Sequence, residues 1–195
     1  MEYIDLVQPK FEENTIMQIL NNRRSVRNYK DSYLLFKEVS ELLWAVSGKN
    51  SDWGGRTAPS AGATYPLEIY LMALKVESLQ AGIYHYHFDH HKLSAKKLGD
   101  ISGKVSASCL GQRMVADAPA TIIITADFDR TTSRYGQRGL RYVYMEAGHC
   151  GQNLHIVAES MGLGTVMLGA FKDKEVKQVL EIDEDVLYFC PVGKK

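Results

Sequence analysis

APATIIITA, residues 118–126, decides the class of fold. Three consecutive isoleucines between threonines, with no charge and no polar–apolar alternation, describe a strand covered on both faces, and this run is expected to be the central strand of a sheet. The next long stretch, RYVYMEAGHCGQNLHIVAESMGLG at 141–164, has a different period. Val143, Ala147, Cys150, Leu154, Val157, Ala158 and Met161 fall on one broad side, so a helix is predicted over 141–161. Gly148 and Gly151 weaken its intrinsic propensity by about 1 kcal/mol each relative to Ala, and glycines here can instead permit close packing. Gly162-Leu163-Gly164 ends it. Working outward, helices are predicted over 15–21, 35–46 and 172–180, the second carried by Leu35, Val39, Leu42, Leu43 and Val46 and stopped by Ser47-Gly48. Strands are predicted over 67–76, 82–88, 166–168 and 187–192, with residues 92–97 either a return strand or the lead into a helix, and Asp89, His90 and His91 as a turn. Residues 49–64 are polar and Gly-rich and are expected to be irregular. The order of elements is that of an α+β domain, a single one spanning residues 1–195.

Composition narrows the function classes. Lys plus Arg and Asp plus Glu are both 23 in 195 residues, so the formal charge is zero and nothing points to nucleic acid. The hydrophobic fraction of 45% suffices for a sizeable core. Cys109, Cys150 and Cys190 are odd in number and scattered, against a disulfide framework or structural zinc. The opening MEYIDLVQPKFEEN is acidic and lacks a long apolar centre, so no signal peptide is read there, and no apolar run is long enough for a membrane span. A cytoplasmic protein is the expectation.

Two further runs carry chemistry. NRRSVRNY, residues 22–29, sets Arg23, Arg24 and Arg27 around Ser25. Guanidinium groups hold phosphate bidentately, and a serine hydroxyl adds a short donor. APSAGATYP, residues 58–66, offers small residues that let a flat group approach the backbone. Together they point to a phosphorylated, planar cofactor.

Four stretches, NRRSVRNY, APSAGATYPLEIY, RYVYMEAGHCGQNLHIVAESMGLG, and TVMLGAF with the terminal PVGK, make the chain resemble the nitroreductase family of flavin-mononucleotide (FMN) enzymes over nearly its whole length. It is most similar to the branch holding the azoline-forming SagB or thiazole/oxazole oxidase-type dehydrogenases. The resemblance implies an FMN-binding α+β sandwich, with a central mixed or antiparallel sheet, flanking helices, and an intertwined homodimer with a flavin at each interface. It implies that Arg23, Arg24 and Ser25 bind the phosphate and ribityl chain, and that Arg27 reaches the pyrimidine edge, where a fixed cation favours the reduced ring. Pro59, Ser60, Ala61 and Gly62 would line the ring from the other subunit. Leu168 and Gly169 would face it with backbone, and Lys194 or Lys195 would add a phosphate contact. Two positions depart from the pattern. Ala63 stands where many members have a ring-binding asparagine, and Arg141-Tyr142 stands near where the peptide dehydrogenases carry Lys-Tyr. An arginine rarely gives up a proton.

The implied activity is ping-pong hydride transfer from NAD(P)H to a nitroaromatic, quinone or other conjugated acceptor, with FMN as cofactor and no separate catalytic side chain. No GxGxxG follows a strand, so a Rossmann nicotinamide site is not expected, and NAD(P)H would be a transient donor. Four arginines, Arg130, Arg134, Arg138 and Arg141, lie in the stretch that covers the acceptor site in relatives and suit an acidic donor, or a solvated loop. Tyr135, Tyr142 and Tyr144 either border the flavin or pack an interface. The alternatives are a flavin-dependent dehydrogenase of a peptide or small molecule, a non-catalytic flavin-binding protein, and, more distantly, a thiol hydrolase built on Cys109 with His149. His85 and His87 share a strand face at metal-ligand spacing but read better as polar strand residues. Glu146 and Gln152-Asn153 read as structural hydrogen-bonding groups.

Overall fold

The computed structural model describes residues 16–195. The stretch read for a signal peptide, and Thr15 of the first predicted helix, lie outside the described residues. Among them the chain runs α1 (Ile16–Asn22), α2 (Phe36–Ser47), a 3-10 turn (Ala61–Ala63), β1 (Leu67–Ala73), β2 (Gly82–His87), β3 (Lys92–Leu98), α3 (Ser102–Ser108), α4 (Met114–Asp117), β4 (Ala120–Ala126), α5 (Asp129–Tyr135), α6 (Arg138–Ser160), β5 (Leu163–Thr165), α7 (Asp173–Leu180) and β6 (Asp185–Lys194).

The six strands form one sheet in the order β3-β2-β1-β4-β6-β5, and every neighbouring pair is antiparallel. The isoleucine run occupies a central position, and its alternation explains why it reads as uniformly apolar. Ile122 and Ile124 face one core with Ala120 and Ala126, while Ile123 faces the other. Strand β1 repeats the division, with Leu67, Ile69 and Leu71 on the first side and Tyr70 and Met72 on the second. Helices α2 and α6 cover the first face through Val39, Leu42, Leu43 and Val46 and through Val143, Ala147, Cys150, Leu154 and Ala158. Helices α3, α4 and α7 supply Val105, Val115, Val176 and Leu180 to the second. The result is an α+β sandwich with an antiparallel sheet. Ile124 is fully buried in it. Ile124→Ala is expected to destabilise the protein by about 2–5 kcal/mol, the cost of truncating a packed aliphatic side chain and leaving a cavity. The shift of the urea midpoint measures it.

Several expectations are corrected. The strand predicted over 166–168 pairs three residues earlier, as Leu163–Thr165. Gly162, at φ +71°, reverses the chain directly after α6 and lets pairing start at once. Leu168 makes only an isolated bridge to Phe189. Residues 92–97 resolve to a strand, and the predicted long helix begins at Arg138. The stretch between Thr125 and Arg141 contains α5 instead of open loop. Helix α1 meets α6 and leaves Ile19 half-buried, while Ile16 and Leu20 on the same side stay exposed. Gly151 does allow a close approach, since a Cβ there would lie 3.0 Å from Met167 Sδ, whereas Gly148 faces open space. Among the described residues no helix is long and apolar enough to cross a membrane.

Candidate functional site

The arginine-bearing segment leaves α1 and lies along the outer edge of the sheet. Ser25 bridges Thr165 in parallel, and Val26 N–H donates to the Thr165 carbonyl at 3.0 Å. Lys30 N–H donates to the Lys194 carbonyl at 2.8 Å, which joins the segment to the end of β6. Two glycines make this docking possible. Gly164 and Gly193 stand opposite each other in the β5–β6 register. A Cβ on Gly164 would meet Val26 Cβ at 2.6 Å, and one on Gly193 would meet Tyr29 Cβ at 2.8 Å.

Arg23, Arg24, Ser25 and Arg27 are thereby brought to the same edge as Lys194. Ser25, Arg24 and Arg27 are exposed and Arg23 is half-buried. None of the three arginines forms an ion pair with a carboxylate among the described residues. Arg24 is nevertheless engaged, because Nη1 donates to the carbonyls of Asn21 and Arg23 at 2.8 Å each, closing the C-terminus of α1. Arg23 lies close enough to the buried His155 imidazole on α6 to help hold its pKa down, after burial, which is the larger cause. Lys195 pairs with Glu159 at 2.6 Å, so of the two terminal lysines Lys194 is the one without an ion pair among the described residues. Leu168 is buried, and its N–H and carbonyl are both taken up by Phe189 at 2.9 Å. Gly169 beside it is exposed.

Pro59, Ser60 and Ala61 line one cavity with the other end of α6, around Glu146, while Gly62 faces Arg134 and Tyr135 of α5. From Glu146 to His155 is nine residues, about 14 Å along a helix axis. The loop is unusual in its backbone: Gly62, Ala63 and Tyr65 all have φ between +43° and +59°. Two of these are not glycine, a conformation costing about 1–3 kcal/mol each unless the surroundings fix it. Side chains do so here. Tyr65 N–H donates to Ser60 Oγ at 2.9 Å, and Thr64 Oγ1 donates to the Ala61 carbonyl and meets Thr131 Oγ1 at 2.7 Å. Arg134 donates to the Gly62 carbonyl at 2.9 Å, and Arg130 to the Tyr65 carbonyl at 3.2 Å.

Arg130 also pairs with Glu68 at 2.6 Å and Asp127 at 3.2 Å. Burial pushes the Glu68 pKa up, but hydrogen bonds from His85 and Arg130 more than offset this and leave it below the ordinary range. Arg130 and Arg134 are therefore braces of the fold, and the reading of four free arginines over an acidic substrate is withdrawn for these two. His85 is the 2.8 Å partner of Glu68, and His87 meets Ser94 at 2.7 Å. Cys109 is fully buried in the second core, its thiol pushed up to about 12 by burial, whereas His149 is exposed on α6. The thiol hydrolase arrangement is not formed. Asn153 has the structural role expected of it, donating to the carbonyls of Ala45 and Thr57 at 3.2 and 3.4 Å.

A cavity of about 280 Å³ opens between the loop and α6, lined by Pro59, Ser60, Ala61, Tyr142, Met145, Glu146 and His149. Tyr142 packs edge-on against Tyr135, with ring centres 5.1 Å apart, while Arg141 is exposed and does not line the cavity. Behind the loop lies Arg56, which the sequence did not single out. Its guanidinium stacks 3.5 Å from the Phe88 ring centre and 4.7 Å from that of Tyr65, and Nη1 donates to Ser47 Oγ and the Leu67 carbonyl. Burial lowers its pKa, partly countered by Glu68 and Glu146. A lone arginine in a polar loop carries no pattern that announces this. Glu146 does leave a trace, an acid beside Val143, Ala147 and Cys150 on the buried side of α6.

A sequence model of the Nitroreductase family matches residues 20–194. MJ1384 of Methanocaldococcus jannaschii, named as a nitroreductase, is 42% identical over 192 residues, covering 98% of this chain and 97% of that one. The trifolitoxin operon protein TfxC of Rhizobium leguminosarum bv. trifolii is 28% identical, covering 96% of this chain and 58% of TfxC. A solved structure from Anabaena variabilis, described as a nitroreductase, superposes with a TM-score of 0.82 at 31% identity, over 92% of this chain and 38% of that one. The chain thus spans less than two thirds of TfxC and of the Anabaena protein, but nearly all of MJ1384. It belongs to the nitroreductase family of oxidoreductases.

Proposed function

We propose that the chain is an FMN-dependent oxidoreductase that takes hydride from NAD(P)H and passes it, in a ping-pong cycle, to a nitroaromatic, quinone or other conjugated small-molecule acceptor. The carrying observation is the set of three guanidinium groups at one sheet edge without a carboxylate partner among the described residues, while Arg113 and Arg130 are both paired. Unpaired, clustered guanidinium groups with a neighbouring serine hydroxyl and Lys194 suit a phosphate monoester. FMN, when bound, supplies the electron chemistry, and the protein's task is to position and tune it. In this reading Arg23 and Ser25 grip the phosphate, Arg27 extends toward the ring, and Arg24 fixes the end of α1 while adding positive potential. Gly169 presents exposed backbone to the ring. The braced loop of Pro59, Ser60, Ala61 and Gly62 serves the flavin of a second copy. Leu140, Tyr144 and Met145 on α6 are 37%, 59% and 52% exposed, Met145 in the wall of the cavity at that loop, and this apolar surface supports a homodimer that completes both sites. Three free, buried cysteines accord with the cytoplasm.

The purified protein is expected to show the flavin absorption bands and to release FMN on denaturation. Anaerobic mixing with NADH or NADPH should bleach these bands, and menadione should restore them. Protein that neither carries nor takes up FMN sinks the proposal. The similarity to TfxC favours one second reading, a dehydrogenase acting on a pathway substrate. Flavin that is bound but reduced by neither nicotinamide would select it. The exposed Arg141 gives that reading no base at the Lys-Tyr position, leaving Tyr142 as the group at the cavity.

A further inference from the structure

A second cavity, of about 350 Å³, opens between α2 and the β2–β3 hairpin. It lies far from the arginine segment. That segment docks on β5, and the sheet order puts four strand spacings, about 19 Å, between β5 and β2. None of its lining residues lines the cavity beside Ser60. Most of the wall is apolar. Val39 and Leu43 from α2 and Tyr84 and Tyr86 from β2 are buried side chains of the first core, and Leu93, the register partner of Tyr86, completes the wall from β3. An apolar cavity of about 150 Å³ admits a benzene ring. This one has room for two fused rings, and its size falls among those of small-molecule sites.

One side of the cavity is polar, and its hydrogens can be counted. His91, at φ +49°, is held between two hydroxyls: Nδ1 lies 2.7 Å from the Tyr86 hydroxyl and Nε2 lies 2.7 Å from Ser40 Oγ. A neutral imidazole carries one N–H, and each hydroxyl carries one O–H. Three hydrogens thus serve two hydrogen bonds. With the hydrogen on Nδ1, the ring donates to Tyr86, Ser40 donates to Nε2, and the tyrosine O–H is spare. With the hydrogen on Nε2, the ring donates to Ser40, Tyr86 donates to Nδ1, and the serine O–H is spare. An imidazolium frees both. Neither hydroxyl has another partner among the described residues. The Tyr84 hydroxyl is already committed, to the Gln80 carbonyl at 2.7 Å. In every state the trio keeps a donor hydrogen without an acceptor, beside walls that give a water molecule few other partners.

We propose that this cavity is a second binding site, for an uncharged one- or two-ring molecule that carries a carbonyl oxygen. The oxygen accepts the spare hydrogen, and the rings cover the apolar walls. A carboxylate suits the site less well. Lys92, the one lysine or arginine in the lining, is the register partner of His87 and belongs to the opposite face of the hairpin from Tyr86. The inference is independent of the flavin reading above, since no residue of the arginine edge takes part in it.

The probes are α-tetralone and tetralin, which share a fused two-ring skeleton and differ by the carbonyl. Each is titrated into the isotope-labelled full-length protein, and the amide shifts are followed by NMR. α-Tetralone is expected to shift the amides of Val39, Leu43, Tyr84 and Tyr86 saturably and to leave those of Gly164 and Gly193, at the arginine edge, in place. Leu93→Trp, which fills the cavity from a half-buried strand position, should weaken binding of both probes at least tenfold. A triple variant, Ser40→Ala with Tyr86→Phe and His91→Leu, removes every donor of the trio together and so strands no partner. It should weaken α-tetralone about two- to tenfold, the worth of one hydrogen bond, and bind tetralin at least as tightly as the wild type does. A trio that only ties the hairpin to α2 predicts no such split. The inference is overturned if α-tetralone, up to its solubility limit, causes no saturable shift at the cavity residues. It is equally overturned if the triple variant binds both probes as the wild type does. These two measurements decide the matter even where Leu93→Trp does not fold.

Discussion

Arg23→Ala combined with Arg27→Ala is expected to weaken FMN binding by about two to four orders of magnitude while leaving the fold intact. Hydrogen bonds to a charged group contribute about 1.5–3 kcal/mol each. Two of them make about 3–6 kcal/mol, and every 1.4 kcal/mol is a factor of ten in affinity. The fold should tolerate the loss, because neither side chain has a carboxylate partner among the described residues and Arg27 is exposed. The midpoint of thermal unfolding of the apoprotein is therefore expected to stay near that of the wild type. Arg24→Ala provides the contrast. Its guanidinium already serves the carbonyls of Asn21 and Arg23, so its removal frays α1 and weakens FMN binding less than the double change. Fluorescence titration at two salt concentrations checks the electrostatic origin, since the wild-type affinity should fall with salt more steeply than that of the double variant. Equal affinities for wild type and double variant would remove the phosphate from this edge.

What the sequence made legible follows from which residues report on their surroundings locally. The isoleucine run announced a doubly covered strand because its alternation is hidden by burial on both faces, and the structure assigns Ile122 and Ile124 to one core and Ile123 to the other. Helices α2 and α6 were legible from their period. Helices α3 and α4 were not, since Ser102–Ser108 buries one aliphatic side chain, Val105, among serines, and Met114–Asp117 is a single turn. The arginines of 23–27 were conspicuous as a cluster, but the pairing of Arg130 with Glu68 and Asp127 depends on β1 and α5 meeting, which no spacing reveals. The same holds for Arg56, whose two aromatic faces come from residues 9 and 32 positions further along the chain. Family resemblance singled out the loop of residues 59–62. The left-handed backbone of Ala63 and Tyr65, and the hydroxyls and guanidinium groups that brace it, became visible only with the fold.

The glycine pair beneath the arginine segment yields the second large effect. Gly193→Val is expected to keep the sheet and lose the anion site. Gly193 does not have a positive φ, so the backbone accepts a side chain, and valine suits a strand. The obstacle is Tyr29, whose Cβ and Cγ both lie 2.8 Å from where the new Cβ would stand. Tyr29 cannot easily retreat. Its hydroxyl lies 2.8 Å from the Val26 carbonyl and 3.1 Å from that of Pro191, so moving the ring breaks the contacts that seat the segment on β6. Overpacking of this kind costs about 1–3 kcal/mol when the structure must yield. The yielding element is the segment of residues 23–30, held to the sheet edge by the Val26 and Lys30 backbone bonds and the Tyr29 hydroxyl, whereas β6 is paired on both sides. The far-ultraviolet circular dichroism should thus be retained while FMN affinity drops by about a hundredfold or more, since displacement moves Arg23, Ser25 and Arg27 together. Adding Tyr29→Ala to Gly193→Val removes the clash and should recover part of the affinity, so the two changes will be non-additive, as expected of residues in contact. Gly148→Ala on the exposed side of α6, where a Cβ meets nothing within 4 Å, should by contrast raise stability by about 0.8–1 kcal/mol. If Gly193→Val binds FMN like the wild type, the arginine segment does not need its seat on β5 and β6, and the docking of residues 23–30 onto the sheet edge is not what builds the anion site.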